Sequence, residues 1–194
     1  MTDTEKDIEL FYPANRKKWR AWLQKHHDKK QAVWLVFYKQ KTGVATISWS
    51  DAVDEALCFG WIDSKKKPVD EEKYIQFFSR RKTKGTWSKI NKQKIEQLTA
   101  AGMMMPAGIA SIEAAKQNGS WAILDDVEEL GIPADLELAF NAHPGSGDFF
   151  SGLSRSAKKS ILQWLVLAKR PETRQKRINE VAELAAKKQK PKQF

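Results

Sequence analysis

The chain has 194 residues, 41% of them apolar, with 34 basic against 24 acidic side chains and a formal net charge of +10. That apolar share is ordinary globular usage and does not point to disorder, and the length supports one full core, or one core with a small helical appendage. A single cysteine, Cys58, excludes an internal disulfide and a cysteine-based zinc cluster.

No run reaches the roughly 18 apolar residues that a membrane helix needs. The N-terminus, Met-Thr-Asp-Thr-Glu-Lys-Asp-Ile-Glu, is acidic and lacks an apolar leader. With the lone thiol, these features lead to an expectation of a cytoplasmic protein.

The predicted elements follow in chain order. Pro13 to about His27 reads as a helix, with Pro13 in its first turn and Trp19, Trp22, Leu23 and His26 on one face. Val33–Tyr38, β-branched and aromatic, reads as a strand buried on both faces. Lys41-Thr42-Gly43 is a turn, followed by an extended piece near Val44 to Ile47. Ser50 is the expected N-cap of a helix running to Phe59, with Asp51, Asp54 and Glu55 where the dipole favours acids and Gly60 as its left-handed stop. Trp61 to Pro68 and Tyr74 to Phe78 read as strands, with Lys65 to Asp70 carrying the hairpin connection.

Everything after that is predicted helical: Trp87 to Ala101 starting near Thr86, Pro106 to Asn118, Pro133 to Asn141, Gly147 to Leu153, Ser156 to Lys169 and Pro171 to Lys187, then a frayed tail. The fold class expected is α+β, a small mostly antiparallel sheet with surrounding helices followed by an all-helical C-terminal segment. Its parts are 1–120 and 121–194, either separate or packed as one unit.

Charge is unevenly placed. Residues 64–98 carry 11 basic and 4 acidic side chains, residues 121–154 carry 7 acidic and no basic ones, and residues 155–194 carry 12 basic and 3 acidic. An acidic segment between two basic ones can fold against one of them, leaving the other for a partner.

Glu55-Ala56-Leu57-Cys58-Phe59-Gly60-Trp61-Ile62-Asp63, Trp87-Ser88-Lys89-Ile90-Asn91, the Trp19-Arg20-Ala21-Trp22-Leu23 helix, Gly102-x-Met104-x-Pro106-Ala107-Gly108 and Ala168-Lys169-Arg170-Pro171-Glu172-Thr173-Arg174 with Arg177-Ile178 together resemble the YdeI/OmpD-associated (bacteriocin-protection) proteins, over roughly residues 10 to 185. The resemblance implies a small cytosolic bacterial protein with a mixed N-terminal part and a helical C-terminal module, and it implies no reaction. The family pattern has a serine where this chain has Gly85.

The candidate ligand site is Trp61, Asp63, Arg81, Trp87, Ser88 and Asn91. Free N–H groups at a helix start attract anions, Arg81 and Lys84 precede that start, a tryptophan gives a flat wall, and Asp63 can orient Arg81. The ligand class is an anionic small molecule, a phosphate or a carboxylate. The same residues also read as a cap, an ion pair and core packing.

A second reading is a nonspecific nucleic-acid binder using basic segments 65–94 and 169–192, where lysines and arginines interleave with Tyr74, Phe77, Phe78 and Trp87. A third is an acidic protein partner for the C-terminal helices. For catalysis, His26 and His27 are adjacent and point apart, His143 stands alone before Pro144, and Cys58 between Leu57 and Phe59 reads as a core thiol. There is no serine elbow, P-loop or dinucleotide fingerprint. The residues fix no reaction and call for no metal or cofactor.

Overall fold

The computed structural model describes residues 8–194, which divide into two compact units, one ending at Trp121 and the other running Ala122–Phe194. The acidic segment 1–7, read above as leaderless, lies outside the described residues.

The first unit contains β1 (Leu10–Phe11), α1 (Arg16–His26), β2 (Ala32–Tyr38), a 3-10 turn at Gln40–Thr42, α2 (Trp49–Cys58), β3 (Trp61–Pro68), β4 (Lys73–Arg80), α3 (Lys89–Ala100) and α4 (Pro106–Gln117). The sheet order is β1-β2-β4-β3, with β1 parallel to β2 and the other pairs antiparallel. Successive strand side chains alternate between faces. Val33, Leu35 and Phe37 therefore join Phe78 in one core with Trp19, Trp22 and Leu23 of α1 and Ala52, Val53 and Ala56 of α2. The Trp19 indole is fully buried and donates to the Ala52 carbonyl at 3.0 Å.

Several boundaries differ from the sequence reading, among them those of the second hairpin strand, Lys73–Arg80, and the helix Arg155–Val166, and four of the differences have a local reason. The first helix starts after Asn15, whose side chain accepts from Lys18 N, so Pro13 lies outside it and its carbonyl accepts from Ile47 N. The second is capped by Ser48 rather than Ser50: Ser48 Oγ accepts from Asp51 N at 3.0 Å and donates to Asp51 Oδ2 at 2.7 Å, a reciprocal arrangement Ser50 cannot make. The third long helix begins after Ser88, not at Thr86.

The hairpin connection is also shorter than Lys65 to Asp70. β3 continues to Pro68 because its lysines lie over aromatic rings, Lys66 over Tyr74 at 4.1 Å and Lys67 over Trp34 at 4.6 Å. The turn then closes on Asp70 Oδ1, which accepts from Glu72 N and Lys73 N.

The second unit is all helical: α5 (Asp125–Glu128), α6 (Ala134–Ala142), α7 (Ser146–Ser151), α8 (Arg155–Val166) and α9 (Pro171–Ala186). Ile178, Val181, Ala182 and Ala185 of α9 pack with Leu136, Phe140, Phe150, Ile161 and Leu165 in a core of their own. The acidic segment pairs with the basic one that follows it, Glu128 with Lys159 at 2.7 Å and Asp135 with Arg174 at 2.6 Å. The tail does not fray as expected: Pro191 is buried and the Phe194 ring meets Trp164 edge-on at 5.7 Å. The chain is thus α+β, with a mostly antiparallel four-stranded sheet and an all-helical C-terminal region. No helix among the described residues is long and apolar enough to cross a membrane.

Candidate functional site

The site is built where α2 ends. Gly60 adopts φ +72° and turns the chain into β3, and Gly108 in the first turn of α4 lets the two helices meet end to end. The Cys58 carbonyl, left over at the C-terminus of α2, accepts from Met105 N at 3.1 Å. A Cβ on Gly108 would lie 2.3 Å from that carbonyl oxygen, and one on Gly60 would lie 3.0 Å from the Ala107 oxygen. This junction gives structural work to two motifs that carried the family resemblance.

Beside the junction opens a cleft of about 360 Å³, lined by His27, Phe59, Gly60, Trp61, Arg80, Arg81, Thr83 and the small α4 residues Ala107, Ala110, Ser111 and Ala114, with Asp28 also on its lining. Its volume lies in the range of small-ligand sites. Trp61 forms one wall and is held by an indole bond to the His27 carbonyl at 3.3 Å. His27 Nδ1 bonds the Leu23 carbonyl at 2.9 Å, which leaves Nε2 as its second ring nitrogen.

Arg81 is the centre of the electrostatics. Its guanidinium lies 3.4 Å over the Trp87 ring, and Nη1 donates to the Thr86 carbonyl at 3.1 Å. Arg80 Nε donates to the Lys30 carbonyl at 3.0 Å. Three buried side-chain nitrogens among the described residues have no acceptor, and two of them, Arg81 Nε and Arg80 Nη2, belong to arginines that line this cleft. No carboxylate comes within ion-pair distance of either arginine among the described residues. Burial pushes the Arg81 guanidinium down from its ordinary value to about 10, with the charge of Asp63 opposing the shift.

The six candidates from the sequence are therefore distributed. Trp61 and Arg81 line one cleft, and Trp87 stacks on Arg81 from outside that lining. Ser88 is a helix cap, its Oγ accepting from Asn91 N at 3.3 Å, and its helix start belongs to α3. Asp63 lines a different pocket, accepting from Trp49 Nε1 at 2.9 Å and Gln76 Nε2 at 3.0 Å. Arg80, Ser111 and His27 escaped the sequence reading. The Arg80-Arg81 pair was the available signal for the first, whereas nothing local ties residues 27 and 111 to residue 81.

Glu55 and Cys58 play structural parts. Glu55 is 1% exposed and held by Arg16 Nε at 2.5 Å and Arg20 Nη1 at 2.6 Å. Cys58 is buried, and desolvation followed by the Glu55 charge pushes its thiol up, away from the nucleophilic thiolate. No group of three or more His, Cys, Asp or Glu among the described residues could hold a metal.

The fold and cleft define a two-unit α+β protein with an arginine-lined cleft in its N-terminal unit. The chain belongs to the family described as a domain of unknown function (DUF8412), whose model matches residues 11–111. Residues 129–188 match the family described as Bacteriocin-protection, YdeI or OmpD-Associated, which supports the resemblance read from the motifs. The motifs divide between them: Glu55 to Asp63 and Trp87 to Asn91 lie in the first match, Ala168 to Arg174 and Ile178 in the second. No curated protein matches the chain, and no solved structure does.

Proposed function

We propose that this protein is a cytoplasmic small-anion-binding protein of the YdeI/OmpD-associated type, acting in stress protection by holding a phosphate or carboxylate ligand between Arg80, Arg81 and Ser111. The observation that carries the reading is the pair of guanidinium groups, Arg80 and Arg81, on one cleft, neither with a carboxylate at ion-pair distance among the described residues. A guanidinium without a carboxylate partner leaves its charge unbalanced, and an anion in the cleft supplies the balancing charge and hydrogen-bond acceptors together. Trp61 and Phe59 give the apolar wall against which the rest of a ligand packs.

Calorimetric titration with orthophosphate and a panel of small mono- and dicarboxylates tests it. One of these binds the wild-type protein, and Arg81→Met, which keeps an apolar side chain against Trp87, weakens that binding at least tenfold. Equal binding by both proteins, or none at millimolar ligand, defeats the reading.

The second reading, nonspecific nucleic-acid binding, draws support from Lys82 and Lys84, both exposed and adjacent to the cleft arginines. In the other basic segment Arg174 and Arg177 donate to the Leu165 and Trp164 carbonyls, leaving Lys169, Arg170 and Lys176 exposed. Phosphate-backbone binding falls steeply with salt, so oligonucleotide affinity that vanishes near physiological salt removes this alternative.

A further inference from the structure

A second pocket, sharing no lining residue with the arginine cleft, opens on the β3–β4 hairpin and has a volume of about 390 Å³. It exists because of a bulge. Asp63 pairs with Phe78 and Lys66 with Gln76, so the register shifts by one residue between Asp63 and Lys66. In a regular strand two residues three apart face opposite ways. The extra residue puts Asp63 and Lys66 on the same face, with Lys66 directly opposite Gln76 and Asp63 diagonal to it.

The pocket's polar groups are held in a defined way. Gln76 is only 4% exposed, and its Nε2 donates to both Asp63 Oδ2 at 3.0 Å and the Ser64 carbonyl at 3.1 Å. Two acceptors fix the orientation of the amide, so Oε1 is turned away from them. Trp49, 48% exposed, is tethered by its indole N–H to Asp63 Oδ2 at 2.9 Å. Tyr74 completes the lining, stacked on Phe37 at 5.1 Å and 5°, with Lys66 Nζ 4.1 Å above its ring.

These groups ask for a particular partner. Trp49 is a large flat ring, half open to solvent yet held in place, and offers a stacking surface. Asp63 Oδ1 and Gln76 Oε1 are acceptors, and among the described residues Lys66 is the one cation on the lining. A ligand that fits is planar, shows two neighbouring N–H donors, and carries an anionic group. Among nucleobases only guanine places two donors, N1–H and N2–H, side by side. Adenine and cytosine put an acceptor next to their amino group, which would face the carboxylate. We propose that this pocket binds a guanine nucleotide, with the base stacked on Trp49, its donor edge on Asp63 and Gln76, and its phosphate on Lys66.

The test is a proton–nitrogen correlation spectrum of the full-length protein, titrated with GMP. The indole signal of Trp49 is identified by its loss in Trp49→Phe. GMP is expected to shift it, AMP and CMP are not, and Asp63→Asn weakens GMP at least tenfold. Lys66→Ala weakens GMP but leaves guanosine unchanged, which separates the phosphate contact from the base contacts. A hexanucleotide with one guanine among adenines identifies the source. Tighter binding than GMP points to a single strand, and no binding beside bound GMP points to the free nucleotide. An unmoved Trp49 signal with both GMP and the hexamer overturns the proposal, as does equal binding of AMP. Arg81→Met keeps the GMP response, so failure of the anion cleft and failure of this pocket are told apart.

Discussion

Gly108→Ala sets two physical effects against each other with opposite signs. Alanine is the better helix former by about 1 kcal/mol in a helix interior, so propensity alone makes the variant more stable. Packing says the reverse. The new Cβ would stand 2.3 Å from the Cys58 oxygen, 2.7 Å from its carbonyl carbon and 2.9 Å from the Leu57 oxygen, and all three are backbone atoms that cannot swing aside. Restoring ordinary contact requires α4 to recede from α2 by about 1 Å, which stretches the Met105 N to Cys58 O bond of 3.1 Å.

Overpacking costs roughly 1–3 kcal/mol, and a weakened buried hydrogen bond adds about 1 kcal/mol. After the propensity gain the net loss is about 2 kcal/mol, or on the order of 10 °C in the melting temperature of a unit this size. Urea and thermal unfolding followed by tryptophan emission measure it. An unchanged or raised midpoint would show that the two helix ends do not meet as closely as described. Because Ala107 and Ser111 flank Gly108 on the cleft lining, the variant also lowers affinity at Arg80 and Arg81.

Three further outcomes are expected. Glu55→Gln destabilises the protein by about 2–3 kcal/mol, below the 3–5 kcal/mol typical of a broken buried pair because Arg16 and Arg20 both reach water; a denaturation midpoint equal to wild type contradicts this. Cys58 resists iodoacetamide in the native protein and reacts once unfolded, as mass spectrometry would show, since burial raises its thiol and hides it. The Arg174 hydrogen bond holds Asp135 below its ordinary value of 3.8. Its folded pKa is depressed, so its contribution is present above pH 3.8 and is lost as pH falls through the lower folded value. Asp135→Asn is therefore slightly less stable than wild type at neutral pH, by a few tenths of a kcal/mol for a pair this exposed, and the difference closes in acid. A gap that persists in strong acid refutes the assignment.

Much of the fold is written in local patterns that tertiary context did not overturn. The i, i+3, i+4 spacing of Trp19, Trp22 and Leu23 marks a buried helical face, and the aromatic β-branched run at 33–38 marks the central strand. Gly60 stops its helix in the left-handed region as expected, and Pro106 opens the next helix but one. Caps were less legible, because Ser48 and Ser50 are equal as residue types and only the reach of Asp51 separates them.

The candidate site was legible only in part. That an arginine beside a tryptophan matters is readable from Arg81 and Trp87, six residues apart and stacked at 3.4 Å. The rest of the cleft comes from distant segments: His27 from the end of α1, Gly60 and Trp61 from the turn into β3, and Ser111 from α4. No local pattern brings these together. The assignment of Asp63 to a separate pocket depends on a one-residue bulge, and strand periodicity carries no sign of it. By itself, the sequence determined the order and kind of the elements, because helix and strand periods are local. Only the tertiary structure decided which side chains share a cavity and which guanidinium nitrogens go without an acceptor, because both depend on strand register and on how closely two helix ends approach.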